Sequence, residues 1–142
     1  SKLKKKEKNT TSALDGIPDV LPALLAAHRM SERASKVGFD WPDIASIFDK
    51  IEEEWQETQE AYEKGDFQET RKELGDLLFA IVNLIRRLNG NAEEVMRQET
   101  RKFSRRFREM EKILSETNQT MDNLDIDEMD ALWEKVKRQE NR

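Results

Sequence analysis

The sequence predicts an all-α fold, an antiparallel helical bundle of about five helices, and three observations lead there. Glycine and proline are scarce, at 5 and 3 in 142 residues, while charged residues reach 39% against 36% hydrophobic. Apolar residues recur at three- and four-residue spacing over long stretches, and Gly, Pro, Asn or Asp punctuates them. No strand signal and no internal repeat interrupts that pattern. A chain of this length makes one domain with its own core.

The elements follow in order. Residues 1–16 are polar and lysine-rich without apolar period, which reads as a flexible tail or linker, so the domain is placed at 17–142. Helix one is expected from about Pro18 to Lys36, with Leu21, Leu24, Leu25, His28 and Ala34 inward and Gly38 as its left-handed stop. Helix two runs from about Pro42 to Lys64, with Ile44, Ile47, Phe48, Ile51, Trp55 and Tyr62 on a helical period. Gly65 ends it, and Asp66 with Glu69 resembles a capping box that opens helix three. Helix three reaches about Asn89 and is the most apolar, with Leu74, Leu77, Leu78, Ile81, Leu84, Ile85 and Leu88, so it is expected at the centre. Gly90 and Asn91 punctuate again. Helix four covers about Ala92 to Thr117, and a last helix about Asp127 to Glu140.

Several function classes drop out. With no cysteine, disulfides and thiolate metal sites are excluded, and a reducing, cytoplasmic setting fits. The longest apolar run, residues 77–82, is far too short to span a bilayer, and the basic start lacks a secretory signal's apolar segment. A net charge of −5 argues against nucleic acid as a partner. The acidic stretch 122–130 lacks the glycine of an EF-hand loop, and no Gly-rich phosphate loop occurs. The sole histidine, His28, has no glutamate three residues before it, so the di-iron bundle pattern is missing.

What remains is acidic. Glu54 and Glu57 stand three apart, as do Glu73 and Asp76, so on helices each pair directs two carboxylates to one side. If helices two and three pack antiparallel across Gly65, four carboxylates converge, and a hard cation such as Mg²⁺ takes oxygen ligands of this kind. For Glu53, Glu54, Glu57 and Glu60 the plain alternative is a solvated face. For Asp76, beside the apolar run, burial would demand a partner, and an ion pair with Arg71 or Arg101 competes with a metal. Lys102 and Arg106, four apart, offer cations for a triphosphate, or merely pair with Glu99 and Glu109. Trp133 and Lys137, also four apart, could cover a base and contact a phosphate, although Trp133 equally suits a core.

The pattern Glu53-Glu54-x-x-Glu57 followed by Glu73-x-x-Asp76 resembles the signature of the all-α MazG-type nucleoside triphosphate pyrophosphohydrolases. The likeness extends through VGFDW at 37–41, GDLLFAIVNL at 75–84, KFSRRFREME at 102–111 and LWEKVKRQE at 132–140, which look like the C-terminal half of the long, two-repeat members. Those members carry a second, N-terminal copy where this sequence has a lysine-rich tail. The resemblance implies cleavage of a nucleoside triphosphate to the monophosphate and pyrophosphate, with Mg²⁺ as cofactor and Mn²⁺ as a substitute. By position it implies Glu54, Glu57, Glu73 and Asp76 as metal ligands. Lys50, Lys72, Lys102, Arg106, Trp133 and Lys137 fall where the family contacts nucleotide, and Asn83 fits its pattern. It also implies a homodimer that completes the bundle. Glu53, next to the ligands, is the candidate general base, with an ion pair to Lys50 as its alternative. Broad base specificity is expected, because no residue commits to one base edge. The competing classes are a helical dimerisation or adaptor domain and a nucleotide sensor without turnover.

Overall fold

The computed structural model describes residues 11–141, and every regular element among them is helical. The lysine-rich stretch 1–10 lies outside the described residues. Helices α1 (Ala23–Lys36), α2 (Ile44–Glu63), α3 (Phe67–Arg87), α4 (Ala92–Ser115) and α5 (Ile126–Glu140) follow one another, with a 3-10 turn, Met121–Asn123, before the last. The all-α expectation matches. Two compact units divide the chain, one ending at Val95 and the other beginning at Met96, within α4.

The first helix starts later than expected. Ile17 and Leu21 each precede a proline, which holds them out of the helical region. Pro22, at φ −52° and ψ 143°, is the cap, and its carbonyl accepts the Ala26 N–H at 2.9 Å. Residues 12–16, expected in the tail, form a turn tied to α1 by the Arg33 guanidinium, which donates to the Ala13 and Asp15 carbonyls at 3.1 and 2.9 Å.

Helix ends are locally encoded. Gly38 (φ 93°), Gly65 (φ 75°) and Asn89 (φ 63°) take the left-handed position after α1, α2 and α3. In each case the next residue's N–H bonds back to a carbonyl five residues earlier: Phe39 to Ala34, Asp66 to Ala61 and Gly90 to Ile85. The third stop corrects the sequence reading, which placed the break at Gly90 and Asn91. Gly90 is needed for closeness instead, since a Cβ there would stand 2.8 Å from Ile85 Cγ2. Asn91 caps α4, its Oδ1 accepting from the Glu93 and Glu94 N–H groups.

Starts are set by aspartates. Asp43 accepts from the Ser46 N–H and Asp66 from the Glu69 N–H, the forward half of the expected capping box. Asp125 and Glu128, ahead of α5, bond reciprocally as a full box.

In the first unit α2 and α3 form an antiparallel hairpin across Gly65, and α1 lies against α3. Ile47, Ala61, Ala80, Val82 and Ala92 are buried there; Met110, Leu114 and Val136 form the core of the second unit. Within the first unit α3 packs against both α1 and α2, as its expected central place requires, but several of its large apolar residues are not enclosed. Leu74, Leu78, Phe79, Ile81 and Leu88 are exposed, because small residues, Ala80 and Val82, occupy the face turned inward. Phe48, Trp55 and Tyr62 of α2 are exposed as well.

Candidate metal centre

Gly65 stands at the midpoint of the acidic pattern. Glu57 and Glu73 lie eight residues to either side of it, and Glu54 and Asp76 lie eleven. Antiparallel packing about that turn therefore brings the pairs level. In the structure Glu54, Glu57 and Glu73 converge, each presenting an oxygen within 4.8 Å of the others.

Their environment is unbalanced. Glu54 is 4% exposed, and its Oε1 receives Lys50 Nζ at 2.9 Å. Its Oε2 and the Oε2 of Glu73 are enclosed and accept no hydrogen bond from the described residues. Burial, followed by the neighbouring Glu54 and Glu57 carboxyls, pushes the Glu73 carboxyl up to about 7. Near neutrality the three groups thus relieve their crowding by holding a proton. A divalent cation would displace that proton and satisfy both orphaned oxygens. The donor set, three carboxylates from two packed helices, fits a hard oxygen-seeking ion.

Asp76 follows Glu73 by one turn of α3 but is exposed, outside the converging three. The premise that burial would force a partner on it does not hold, and it forms neither ion pair considered, with Arg71 or with Arg101, among the described residues. Glu53 is exposed and lies 3.6 Å from Lys50 Nζ, so the alternative pairing weighed for it is present. Lys50 bridges Glu53 and Glu54, and the Glu54 carboxylate raises its pKa. Lys72 is exposed and precedes Glu73 in sequence. Asn83 is buried, donating from Nδ2 to the Phe79 carbonyl at 3.1 Å and accepting from Arg86 at 3.2 Å.

The second unit holds the remaining predicted residues. The Arg106 guanidinium stands 5.6 Å from the centre of the Trp133 ring and donates to both oxygens of Glu140, at 2.9 and 3.1 Å from Nε. That contact raises the pKa of Arg106 and lowers that of Glu140. Trp133 also meets the Phe103 ring at 5.5 Å. Lys102 pairs with Glu99 at 2.8 Å, and Lys137 with Glu134 at 3.7 Å. Glu99 was the partner weighed for Lys102; the partner of Arg106 is Glu140 rather than Glu109.

Sequence reasoning missed one constellation. Asp40 accepts from Arg86 Nη2 at 2.6 Å and lies 3.5 Å from Arg87, whose Nη1 also donates to the Trp41 carbonyl. The Arg86 hydrogen bond, ahead of a lesser desolvation penalty, lowers the Asp40 pKa. The ion pair straps the 37–41 segment to the last turn of α3. Forty-six residues separate Asp40 from Arg86, and no local spacing announces the pair.

Residues 43–111, covering α2, α3 and most of α4, match the MazG nucleotide pyrophosphohydrolase domain. The nucleoside triphosphate pyrophosphohydrolase/pyrophosphatase MazG of Thermotoga maritima is 43% identical over 136 residues, 96% of this chain and 52% of the relative. The nucleoside triphosphate pyrophosphohydrolase of Escherichia coli K12 is 41% identical, again over 52% of its length, and the uncharacterized YabN of Bacillus subtilis is 38% identical over 29% of its length. The chain thus spans about half the length of the two pyrophosphohydrolases it matches. With the acidic signature on α2 and α3 inside the matched segment, the chain carries a MazG nucleotide pyrophosphohydrolase domain and belongs to the MazG family.

Proposed function

We propose that this protein hydrolyses nucleoside triphosphates to the monophosphate and pyrophosphate, using Mg²⁺ held by Glu54, Glu57, Glu73 and Asp76. The observation that carries the reading is the pair of enclosed, unpartnered oxygens on Glu54 and Glu73, facing a third carboxylate. A structural ion-pair network would have matched them with cations; this one is short of positive charge. The names of the T. maritima and E. coli relatives supply the reaction.

Bound Mg²⁺ would supply charge neutralisation for the phosphates and a means of holding water. The protein's residues do the rest. Glu54, Glu57 and Glu73 are fixed by the hairpin, and exposed Asp76 follows Glu73 by one turn of α3. Glu53, exposed and adjacent, is the proposed base that takes a proton from the attacking water. Its contact with Lys50 holds it near the cluster. One water is consumed, the bond between the α- and β-phosphates breaks, and pyrophosphate leaves. Lys50, Lys72, Lys102, Arg106 and Lys137 are the proposed phosphate contacts, with Trp133 orienting Arg106.

Residues 17–142 are taken as the working domain and the homodimer as its assembly. The exposed apolar residues of α2 and α3 support that assembly, as a face this large is usually covered. Broad base specificity and a cytoplasmic site of action complete the reading. Phosphorus NMR of a reaction with Mg²⁺ tests it: monophosphate and pyrophosphate are expected, and diphosphate with orthophosphate would overturn it.

A further inference from the structure

Charge is unevenly spread along the chain. The net charge is −5, yet residues 97–112 of α4 carry seven Lys and Arg against three Asp and Glu. Arg101, Arg105, Arg108 and Lys112 succeed one another at spacings of four, three and four, so they form one line on the helix. All four are exposed and border an open groove of about 680 Å³. At 1.5 Å per residue the line runs for about 16 Å. It lies away from the apolar side of α4, where Met110 and Leu114 are buried and Phe103 meets Trp133. Lys102 and Arg106, paired with Glu99 and Glu140, point to a different side and do not belong to it.

The line is short of negative charge. Arg101, Arg108 and Lys112 form no ion pair among the described residues. Arg105 stands 3.8 Å from Glu140, whose closer partner is Arg106 at 2.9 Å. Among the described residues, Glu109 is the only carboxylate lining the groove. Like charges three and four apart on a helix repel, and an external anion relieves that repulsion. One member is already oriented: Arg108 Nε donates to Ser104 Oγ at 3.0 Å, which holds the guanidinium along the groove. Its Nη groups remain to fork an oxyanion, and the Ser104 hydroxyl keeps its own proton to donate.

The shape of the line selects the anion. Three of its four members are arginines, whose planar fork matches phosphate. Cations at successive turns, one side chain wide, follow a linear polyanion; a duplex, with phosphates on two strands, would call for a broader patch. A membrane fits less well, because the apolar side of α4 is engaged by α5 and does not face a bilayer. The expectation against nucleic acid rests on the whole-chain charge, which averages this line with acidic faces elsewhere. We propose that the α4 line binds the sugar–phosphate backbone of single-stranded nucleic acid. Among the described residues no aromatic side chain lines the groove, so binding is independent of base sequence. The triphosphate reading is not needed for it.

Fluorescence anisotropy of the full chain with a labelled 5′-hydroxyl oligothymidylate tests it, in EDTA so that metal-held contacts do not contribute. With four phosphates neutralised, affinity should fall roughly 50-fold between about 50 and 200 mM salt. Arg101→Gln combined with Arg108→Gln leaves two contacts, so binding should weaken and fall only about 7-fold over that range. Both positions are exposed, so the double variant should fold as before. Arg101→Lys with Arg108→Lys keeps the charge and should restore the salt dependence. Turnover of nucleoside triphosphates should be the same in all three proteins. Absence of oligonucleotide binding, or tighter binding of poly-glutamate, would overturn the proposal. Binding untouched by the two Arg→Gln changes would do so as well, assigning it to a segment such as the lysine-rich residues 1–10. Lost turnover in that double variant would assign the line to the substrate site and equally overturn it.

Discussion

The two compact units treat the charges of their candidate site residues in opposite ways. In the second, each candidate cation has its own carboxylate: Lys102 has Glu99, Arg106 has Glu140, and Lys137 has Glu134. In the first, three carboxylates converge and Lys50 pairs with one of them, Glu54; two of their oxygens are enclosed without a partner among the described residues, and the Glu73 carboxyl is pushed up to about 7. Paired charges stabilise a surface modestly and ask for nothing further. A crowd of like charges on rigid helices raises the energy of the fold, and that energy is recovered when a cation arrives. The contrast therefore separates a surface already satisfied from one built to be completed.

The largest effect should come from removing a member of the crowd. Glu73→Gln is expected to lower Mg²⁺-dependent turnover by about 100-fold or more, as for other losses of a charge-stabilising group. Its melting temperature without Mg²⁺ should hold or rise, because repulsion falls. A clear drop without Mg²⁺ would place Glu73 in a structural network and erase the contrast. Asp76→Asn, at an exposed position, should show the same loss of turnover with stability changed by less than about 0.5 kcal/mol. Retained turnover in that variant would limit the ligand set to the three converging glutamates.

Arg106→Ala probes the paired side. It leaves Glu140 without its partner and the Trp133 ring without its guanidinium, so the melting temperature should fall with or without Mg²⁺. Turnover should fall by about 10–100-fold if this cation also meets phosphate. Loss of stability with full turnover would make Arg106 purely structural.

Acidity sharpens the comparison. The Glu73 carboxyl is raised from its ordinary 4.5 to about 7 in the folded chain. A raised acid favours the protonated folded state, so its contribution to stability is complete below about 4.5 and is lost as pH rises through 7. Without Mg²⁺ the melting temperature should decline between pH 5 and 8, and the stabilisation by added Mg²⁺ should grow over the same interval as the proton leaves. Asp40 and Glu140, both lowered by arginine, act in a separate window, losing their contribution only as pH falls through their depressed values. A melting curve measured without Mg²⁺ that rises from pH 5 to 8 would contradict the crowding.

The smallest effect is expected on the apolar face of α3. Leu78 is 54% exposed, so Leu78→Lys should change the stability of the isolated chain little. Sedimentation should nonetheless shift from a dimer toward the 16.7 kDa monomer. An unchanged sedimentation coefficient would remove this face from the proposed assembly.

Much of this was legible in the sequence. Apolar period and turn residues place the five described helices, and the symmetry of acidic residues about Gly65 foretells the meeting of Glu54, Glu57 and Glu73. What escaped has physical causes. Hydrophobic period identifies an apolar face but not what covers it, so Leu74 and Leu78 were assigned to a centre they do not occupy. Asp76 was judged by its apolar neighbours in sequence, although on a helix adjacent residues point to different sides. The strap from Asp40 to Arg86 and Arg87 arises from tertiary contact between distant segments. The stop at Asn89 was missed because asparagine signals a left-handed turn less strongly than the glycine that follows it.

The locally written helix ends bear on how quickly the molecule assembles. Gly38, Gly65 and Asn89 each halt a helix through bonds spanning five residues, and a three-residue link closes the α2–α3 hairpin. Contacts this near in sequence require little loop closure, which favours rapid formation. The carboxylates are then drawn together early, while the chain is still searching for its remaining packing. Divalent ions or mild acid in the refolding buffer should accordingly speed the folding limb, and not merely slow unfolding, because the repulsion they relieve is already present at the barrier.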